Sequence, residues 1–508
     1  MNFLTSFIKK HKIELICFSV LIVLFFLTRL FRIETLPLFT DEAIYVRWSQ
    51  IARYDAAWRF ISLTDGKQPS FVWVAMNIMR FVDDPLLASR YVSVLSGFLG
   101  LIGMYFLAKE TFKNRWVGII ASFLYLFYPM ALVYDRMALY DSFVFMSAVW
   151  ALYFEVLLVR RIKLDIALIL GMVLGVGMLT KSSAAFFIYL FPFVFLLFDL
   201  KKGLKSFIKL VLLSMLSVFM AYGYYSILRL SPFFHIIKDK NSIFVFSIKE
   251  WMEKPFEFFN GNLSGQFNWL QNYMTWPILM LIIFGTLFSF KKFYKEKIIL
   301  LAWCLLPFVA LALLGKVLYP RFILFMTMPL LLLASFSLYF VLQKIKKVHF
   351  RIALMVVLFG LMLRADYFVL TDFANAPIPE SDSGQYINGW PAGGGVKEIV
   401  SFLDKESKKG KIYVATEGTF GSLPTYAIEI YLGDNRNVEK AGVWPLPDEV
   451  PKDLVEKAKK MPVYFVFNST QVYKNNTRHG LWPMDLIAKY QKGTGDTYMS
   501  LYKIRKPQ

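Results

Sequence analysis

The sequence has few of the residues that build disulfides and metal sites. Its two cysteines, Cys17 and Cys304, both lie inside apolar blocks, so neither a disulfide framework nor zinc-ligand spacing is present. The four histidines are scattered along the chain, which argues against a histidine-based metal site. We therefore predict no obligatory cofactor.

Acidic residues are also scarce, with 36 Asp and Glu against 57 Lys and Arg and a net charge of +21. Such an excess on one soluble face would indicate binding to nucleic acid. Here, however, most cations lie in short clusters between apolar blocks, so membrane topology explains the charge better. The predicted partner of the chain is the lipid bilayer, and we predict no nucleic-acid partner.

Apolar residues are abundant and occur in long blocks. Hydrophobic residues make up 57% of the 508 positions, and blocks of this length are what a helix needs to cross the bilayer. The first block, residues 13–31, is long enough to remain in the membrane, so we expect no removable signal peptide. The blocks predict eleven spans, at 13–33, 86–109, 115–133, 138–159, 164–180, 183–199, 207–229, 273–290, 298–315, 321–342 and 351–370.

The positions of the cations predict the orientation of these spans. Lys and Arg cluster in every second connection, at 9–12, 109–115, 160–163, 201–209, 291–297 and 344–351. The positive-inside rule then places the N-terminus in the cytoplasm, and the odd number of spans places the C-terminal segment outside. We predict a multi-pass protein of the plasma membrane. The short apolar segment 69–82 is expected to be interfacial or re-entrant.

The chain is predicted to have two domains. Residues 1–370 form an all-α polytopic membrane domain, and residues 371–508 form a soluble α/β domain outside the cytoplasm. In the second domain, strand-like runs occur at 411–415, 426–432, 462–467 and 499–504, and helical patterns at 396–405 and 451–460.

The acidic pair Asp41-Glu42 follows the first span directly. Thr40 is a plausible N-cap, and carboxylates in a first helical turn interact favourably with the helix dipole, so a purely structural role is possible. The same pair, facing a substrate in the membrane, could instead supply a general base. From the motif alone the two interpretations are about equally supported.

A second charged motif, Asp135 to Asp141, lies at the turn between two predicted spans. Arg136 and Asp141 could simply pair and close that turn. Lys67 and Lys181 are single cations at predicted helix boundaries, where a lysine often reaches the lipid headgroups without further function.

Lys316 and Arg321 open the tenth predicted span. Two cations at the membrane edge are a reasonable clamp for a lipid-linked phosphate. Together, the carboxylates and cations suit transfer of a sugar from a polyprenyl phosphate to a hydroxyl. The leaving phosphate needs cations, and the attacking hydroxyl needs a carboxylate to accept its proton.

These motifs occur in a familiar order: Asp41-Glu42, Lys67-Gln68-Pro69-Ser70, Arg136-x-x-x-x-Asp141, Leu179-Thr180-Lys181 and Tyr319-Pro320-Arg321-Phe322. The set resembles the GT-C fold glycosyltransferases, specifically the dolichyl-phosphate-mannose protein mannosyltransferases and the related lipid A aminoarabinose transferase. The resemblance covers roughly residues 10–370. It implies an inverting glycosyltransferase that uses a polyprenyl-phosphate-linked sugar donor.

The resemblance also implies residue roles. Asp41 matches the catalytic base with Glu42 as its neighbour, and Asp141 matches a further active-site carboxylate. The cations expected near the donor phosphate are Lys67, Arg136, Lys181, Lys316 and Arg321. Two positions differ from the family pattern, because Gln68 stands where Pro is usual and Ser182-Ser183 stand where Gly-Pro often follows the lysine.

Several alternatives remain at this point. Asp41, Glu42 and Asp141 could bind a divalent metal, although the cations already present can neutralise one phosphate. A transporter or flippase is the main rival function, but such folds usually contain repeated halves, and none is evident here. An oligosaccharyltransferase is disfavoured because the Trp-Trp-Asp sequence of those enzymes is absent. A membrane-anchored binding protein would not need eleven spans. The acceptor is open and could be a lipid, a glycan or a protein.

Overall fold

Apolar helices make up most of the chain. The structure, a computed structural model, describes residues 2–419, 421–468 and 482–506, with side chains from residue 11 onward. The helices are α1 (Asn2–Leu30), α2 (Thr40–Tyr54), α3 (Ser70–Ile78), α4 (Pro85–Phe112), α5 (Arg115–Leu126), α6 (Pro129–Tyr134), α7 (Asp141–Arg161), α8 (Leu164–Met178), α9 (Ala185–Val194), α10 (Gly203–Ser226), α11 (Ile236–Phe244), α12 (Ile248–Glu253), α13 (Phe259–Met274), α14 (Trp276–Phe288), α15 (Tyr294–Leu314), α16 (Leu324–Lys344), α17 (Val348–Thr371), α18 (Glu380–Ser383), α19 (Val396–Ser407), α20 (Leu423–Leu432) and α21 (Lys452–Lys460).

Seven helical stretches in the described part of the chain are long and apolar enough to cross a membrane. They contain α1, α4, α7, α10, α15, α16 and α17, and the pair α13–α14, bent by 100°, makes an eighth if it crosses as one unit. Three shorter apolar helices lie at Arg115–Leu126, Leu164–Met178 and Ser182–Leu197. Each predicted span therefore coincides with an apolar helix, but the count of eleven spans is not confirmed.

The long helices differ in how deeply they lie in the bundle. Most residues of α4, α7 and α16 are buried inside the protein, whereas only a minority of those of α1, α10, α15 and α17 are. Large apolar side chains such as Leu27, Phe219 and Val357 are exposed on the outer helices. This pattern is expected where lipid covers the outside of a helix bundle, because hydrocarbon accepts apolar side chains without cost.

The C-terminal part contains a mixed five-stranded sheet. Its strands are β1 (Ile412–Glu417), β2 (Val438–Val443), β3 (Val463–Phe467), β4 (Met484–Gln491) and β5 (Tyr498–Ile504). They are ordered β2-β1-β3-β5-β4, with β1 parallel to β2 and β3, and β5 antiparallel to β3 and β4. The sequence indicated β1, β3 and β5 correctly but gave no sign of β2 and β4.

One predicted strand, at 426–432, was wrong, because this segment is the helix α20. The helix begins after Ser422, whose hydroxyl accepts a hydrogen bond from the amide of Thr425, and Pro424 occupies its first turn. Both residues are typical of a helix start. These signals outweigh the strand preference of the apolar residues that follow.

The helix that carries the acidic pair starts at Thr40, but not in the predicted way. Phe39 is the N-cap residue, and the Glu42 carboxylate accepts a hydrogen bond from the Phe39 amide at 3.0 Å. The predicted capping role of Thr40 was therefore wrong. Its hydroxyl instead donates to the carbonyl of Pro391 at 2.9 Å, which ties α2 to the C-terminal part.

The apolar core continues from the helix bundle into the C-terminal part. Val396, Ile399 and Leu403 on α19 belong to the same buried cluster as the bundle helices, whereas the other face of the sheet has a core of its own. The last long helix ends at Thr371. The predicted division into residues 1–370 and 371–508 stays a prediction.

Candidate active site

Asp41 lies in the first turn of α2 and faces two cations. Its Oδ2 atom accepts a hydrogen bond from Nη2 of Arg321 at 2.9 Å, and its Oδ1 atom is 3.9 Å from the Lys67 ammonium. The Asp41 side chain is 21% exposed, so it remains reachable from solvent. Because Asp41 is accessible, a bound anion can compete with it for the two cations.

Arg321 lies in a short 3₁₀ turn, Pro320–Ile323, directly before α16. Its guanidinium carbon is 5.4 Å from the ring centre of Phe39 and 4.8 Å from that of Tyr319, so it makes cation–π contacts with two aromatic rings. Its Nη1 atom is buried and has no hydrogen-bond partner. One terminal nitrogen of Arg321 therefore donates to Asp41, and the other has no hydrogen-bond partner.

Lys67 connects Asp41 to a second carboxylate. Its ammonium donates to the Tyr45 hydroxyl at 2.9 Å and lies 3.5 Å from Oδ2 of Asp65. Asp65 in turn accepts a hydrogen bond of 2.7 Å from Lys240. Sequence analysis did not single out Lys240, which belongs to the connection 230–272, and the only signal for it was the length of that connection.

Lys181 and Asp141 form a further ion pair, at 2.7 Å. The Lys181 ammonium lies 4.6 Å from the ring centre of Phe322, the residue next to Arg321. We name the following seven residues the Asp41 charge cluster: Asp41, Asp65, Lys67, Asp141, Lys181, Lys240 and Arg321. The cluster has four cations and three carboxylates, and so a net charge of +1, which suits binding of an anion.

Hydrogen bonds between two sequence motifs set the positions of Lys67 and Lys181. Gln68 donates to the Ser182 hydroxyl at 2.8 Å, and Ser70 donates to the Thr180 hydroxyl at the same distance. Gln68 and Ser182 are residues at which the chain differs from the family pattern. The two differences therefore compensate each other, because each side chain is the partner of the other.

The pKa of Asp41 reflects its surroundings. Burial raises this pKa, but the positive charges of Lys67 and Arg321, followed by those of Lys240 and Lys181, hold it below its usual value. The pKa of Lys181 is lowered mainly by burial, which the charge of Asp141 only partly offsets. At neutral pH Asp41 is therefore ionised and able to accept a proton.

Glu42 has entirely different contacts from Asp41. It is fully buried, and its carboxylate accepts hydrogen bonds of 2.9 Å from both Nε and Nη2 of Arg90 and of 2.7 Å from the amide of Ala138. These contacts hold the start of α2 against α4 and the turn before α7. The predicted catalytic role of Glu42 stays a prediction, and the hydrogen-bond partners described here lie outside the Asp41 charge cluster.

Two of the predicted phosphate-binding cations have partners elsewhere. Arg136 is buried and donates to the carbonyls of Phe31 and Val369 at 2.7 and 3.1 Å, and among the described ion pairs it has none with Asp141. Lys316 pairs with Glu250 at 2.8 Å. The structure thus brings Lys67, Lys181 and Arg321 together with Asp41 and Asp141, but not Arg136 or Lys316.

No group of three or more His, Cys, Asp or Glu side chains in the described residues is arranged to hold a metal ion. The three carboxylates considered from the sequence have separate cationic partners, namely Arg321 and Lys67 for Asp41, Arg90 for Glu42 and Lys181 for Asp141.

One more carboxylate lies near the cluster, and sequence analysis missed it. Asp382, on α18, is fully buried and accepts hydrogen bonds on Oδ2 from the hydroxyls of Tyr134 (2.7 Å) and Tyr273. Burial raises the pKa of Asp382 to about 6, although the two tyrosines and the charge of Arg321 lower it. No motif distinguishes this residue in the sequence.

A model of a known family matches part of the chain. The sequence model described as Dolichyl-phosphate-mannose-protein mannosyltransferase matches residues 67–225, which include Lys67, Asp141 and Lys181. The search of curated proteins gave no significant match. The other four cluster residues, Asp41, Asp65, Lys240 and Arg321, lie outside the matched segment.

Solved structures match over nearly the whole chain. ArnT from Cupriavidus metallidurans bound to undecaprenyl phosphate has a TM-score of 0.57 at 15% identity, covering 98% of this chain and 100% of that one. The Archaeoglobus fulgidus oligosaccharyltransferase in the apo form has a TM-score of 0.52 at 12% identity, covering 89% of this chain and 69% of that one. The chain thus has the GT-C glycosyltransferase fold and resembles the dolichyl-phosphate-mannose protein mannosyltransferases.

Proposed function

We propose that this protein is an inverting glycosyltransferase that moves a sugar from a polyprenyl-phosphate donor to an acceptor hydroxyl. The observation that carries the proposal is the Asp41 charge cluster, in which an accessible carboxylate contacts Arg321 and Lys67 and cations are in excess. The carboxylate serves as general base and the cations bind the donor phosphate.

The reaction is a single displacement. The acceptor oxygen attacks the anomeric carbon of the sugar while its proton passes to a carboxylate oxygen of Asp41. The bond between the anomeric carbon and the phosphate oxygen breaks, and its electron pair stays on the phosphate, which gains one negative charge. Arg321, Lys67 and Lys181 stabilise that charge. Attack opposite the leaving group inverts the anomeric configuration.

The low pKa of Asp41 in the free protein is compatible with a role as base. Arg321 and Lys67 lower this pKa only while they pair with Asp41. When a donor phosphate binds, it shares both cations, so their effect on Asp41 weakens and the carboxylate becomes more basic. Donor binding therefore prepares the base before the acceptor reacts.

The donor class rests on the fold and on the charge of the cluster. The ArnT structure of the same fold holds undecaprenyl phosphate, and an Archaeoglobus fulgidus oligosaccharyltransferase structure holds an acceptor peptide. We propose a polyprenyl-phosphate-linked sugar as donor here. The acceptor class stays open among lipid, glycan and protein. No obligatory metal is part of the proposal, because cations of the chain itself can neutralise the phosphate.

We further propose that the protein crosses the plasma membrane with a cytoplasmic N-terminus, and that residues 371–508 and the Asp41 charge cluster face outward. Counting the seven long helices, the bent pair α13–α14 and the three shorter apolar helices gives the eleven spans of this topology. An epitope tag after the last residue should then be accessible in intact spheroplasts. Protection of that tag would show that the C-terminal segment faces the cytoplasm and would contradict this orientation.

The experiment that tests the function is a transfer-or-hydrolysis assay on the purified full chain. It uses undecaprenyl phosphate linked to radiolabelled mannose, glucose or galactose. We expect the wild type to release undecaprenyl phosphate from one of these donors and Asp41→Asn to release none. A wild type that neither binds nor cleaves any of them would contradict the proposal and favour transport, which liposome uptake would then test.

A further inference from the structure

The chain returns to the Asp41 charge cluster after its last long helix. Residues 380–388 form α18 and one turn of π-helix, and Asp382 and Tyr386 are both buried there. Two hydroxyls, from Tyr134 on α6 and Tyr273 on α13, donate to the same oxygen of Asp382. A segment of the C-terminal part is therefore built into the helix bundle.

Aromatic contacts connect this segment to Arg321. The ring centres of Tyr386 and Phe39 are 4.8 Å apart, edge to face, and the other ring contact of Phe39 is with the guanidinium of Arg321. Phe39 also forms a β-bridge with Ala392. Phe39 thus contacts both Tyr386 and the cation that holds Asp41, and the charge of Arg321 also acts on Asp382.

Several buried polar atoms in this region lack a hydrogen-bond partner, among them Oδ1 of Asp382, Nη1 of Arg321 and the hydroxyl of Tyr386. Burying a charged or polar atom without a partner costs free energy, so each such atom needs an explanation, and a ligand is one. An acceptor on Asp382 and a donor on Arg321 that both lack a partner, in a region where Phe39 contacts both Tyr386 and Arg321, match a ligand with an anion and a hydroxyl.

We propose that Asp382 binds a hydroxyl of the sugar that is transferred, and so helps to select the donor. This inference rests on the proposed function. The sugar is bonded directly to the phosphate that Arg321 binds, so its ring must lie beside Arg321, whereas the acceptor approaches from the opposite side. Since Asp382 has no exposed surface, the Tyr386 ring moves aside when the sugar enters.

The C-terminal sheet holds this contact in place. Asn388, at the end of the π-helical turn, accepts hydrogen bonds from the amide of Thr494 at 2.9 Å and from the Thr497 hydroxyl, both in the turn between β4 and β5. The sheet therefore positions a residue that contacts substrate, which gives the C-terminal part a role in donor selection.

The test compares binding of undecaprenyl phosphate with binding of its mannose, glucose and galactose derivatives to the purified full chain. We expect the wild type to bind one sugar-linked lipid more tightly than undecaprenyl phosphate. Asp382→Asn, which keeps the size of the side chain, should weaken binding of that lipid by about tenfold and leave undecaprenyl phosphate unaffected. Arg321→Ala should weaken both.

Asp366→Asn is the matched control, because Asp366 on α17 is also buried with unpartnered carboxylate oxygens but has no described contact with the cluster. It should change neither affinity. If Asp382→Asn does not fold, Tyr273→Phe removes one donor to Asp382 and should weaken only the sugar-linked lipid.

The outcomes separate the two proposals. Equal weakening of both lipids by Asp382→Asn, or no weakening at all, would overturn the role of Asp382 and leave the proposed function standing. A wild type that binds the sugar-linked lipids no more tightly than undecaprenyl phosphate would also overturn it. A wild type that binds none of the four lipids would overturn the proposed function and this inference with it.

Discussion

Asp41 and Glu42 are neighbours in sequence, yet they belong to two regions of opposite character. Asp41 is 21% exposed and shares its cations with other carboxylates, whereas Glu42 is fully buried and held by Arg90 and backbone amides. A second buried pair, Arg29 and Asp135, resembles that of Glu42. A carboxylate whose cationic partners can be exchanged suits catalysis, whereas a carboxylate that is buried together with its partner stabilises the fold. An ion pair therefore indicates a functional site only when solvent or substrate can reach it.

The largest effect is expected from Asp41→Asn. Removing a general base while keeping the shape of the side chain should lower the rate of sugar transfer by about 10³-fold. Donor affinity should stay within about threefold of the wild type, because Arg321, Lys67 and Lys181, which bind the phosphate, all remain. Turnover and donor binding are measured on the same preparation.

Asp55→Asn, an exposed substitution at the other end of α2, is the control and should leave the rate unchanged. Substantial turnover by Asp41→Asn would show that another group accepts the proton.

Glu42→Gln should lower the stability of the protein and not the rate of sugar transfer, the reverse of Asp41→Asn. It leaves the charge of Arg90 buried without a counter-ion, which costs about 3 kcal/mol of stability. We expect a clearly lower thermal unfolding temperature in detergent, with the rate per folded molecule close to that of the wild type. The exposed Glu34→Gln serves as control. An unchanged unfolding temperature with lost turnover would instead place Glu42 in the reaction.

Asp382 is intermediate, because it is buried like Glu42 but lies near Arg321. Its pKa in the folded protein is about 6, above the ordinary carboxyl value. A raised carboxyl pKa stabilises the fold fully below about pH 4, and this stability is lost as the pH rises through about 6. Between about pH 5 and pH 7 the loss amounts to about 1 kcal/mol.

Thermal unfolding of the wild type and of Asp382→Asn, measured across that range, checks this prediction. The wild type should lose stability relative to the variant as the pH rises. Parallel curves for the two proteins would show that Asp382 titrates at its ordinary pKa.

The smallest effect is expected from Lys240→Met. Lys240 acts on Asp41 through Asp65 and Lys67 and is partly solvated, so its loss should weaken donor binding by about threefold. The difference should shrink at high salt, because mobile ions screen exposed charges. Lys238→Met, an exposed change on the same helix, should have no effect. A loss as large as that of Arg321→Ala would make Lys240 a direct phosphate ligand.

The helices of the bundle could be predicted because the hydropathy of long apolar blocks is a local property, and the GT-C fold was implied by the resemblance of the short motifs. The sequence also pointed to Asp41, Lys67, Lys181 and Arg321, which stand in short motifs. Lys240 and Asp382 could not be found in this way, because they meet their partners Asp65 and Tyr134 across 175 and 248 positions of the chain. Contacts between distant segments depend on packing, which no local pattern encodes. The site roles themselves stay predictions.

The hydrogen bond between Gln68 and Ser182 has an evolutionary consequence. Lys67 and Lys181 are each followed by a residue that bonds to the other, so we expect the two positions to change together. Relatives that carry proline at the position of Gln68 should lack serine at the position of Ser182. Relatives in which only one of the two residues differs should be rare. A chimaera that borrows one motif from such a relative would need the other motif as well.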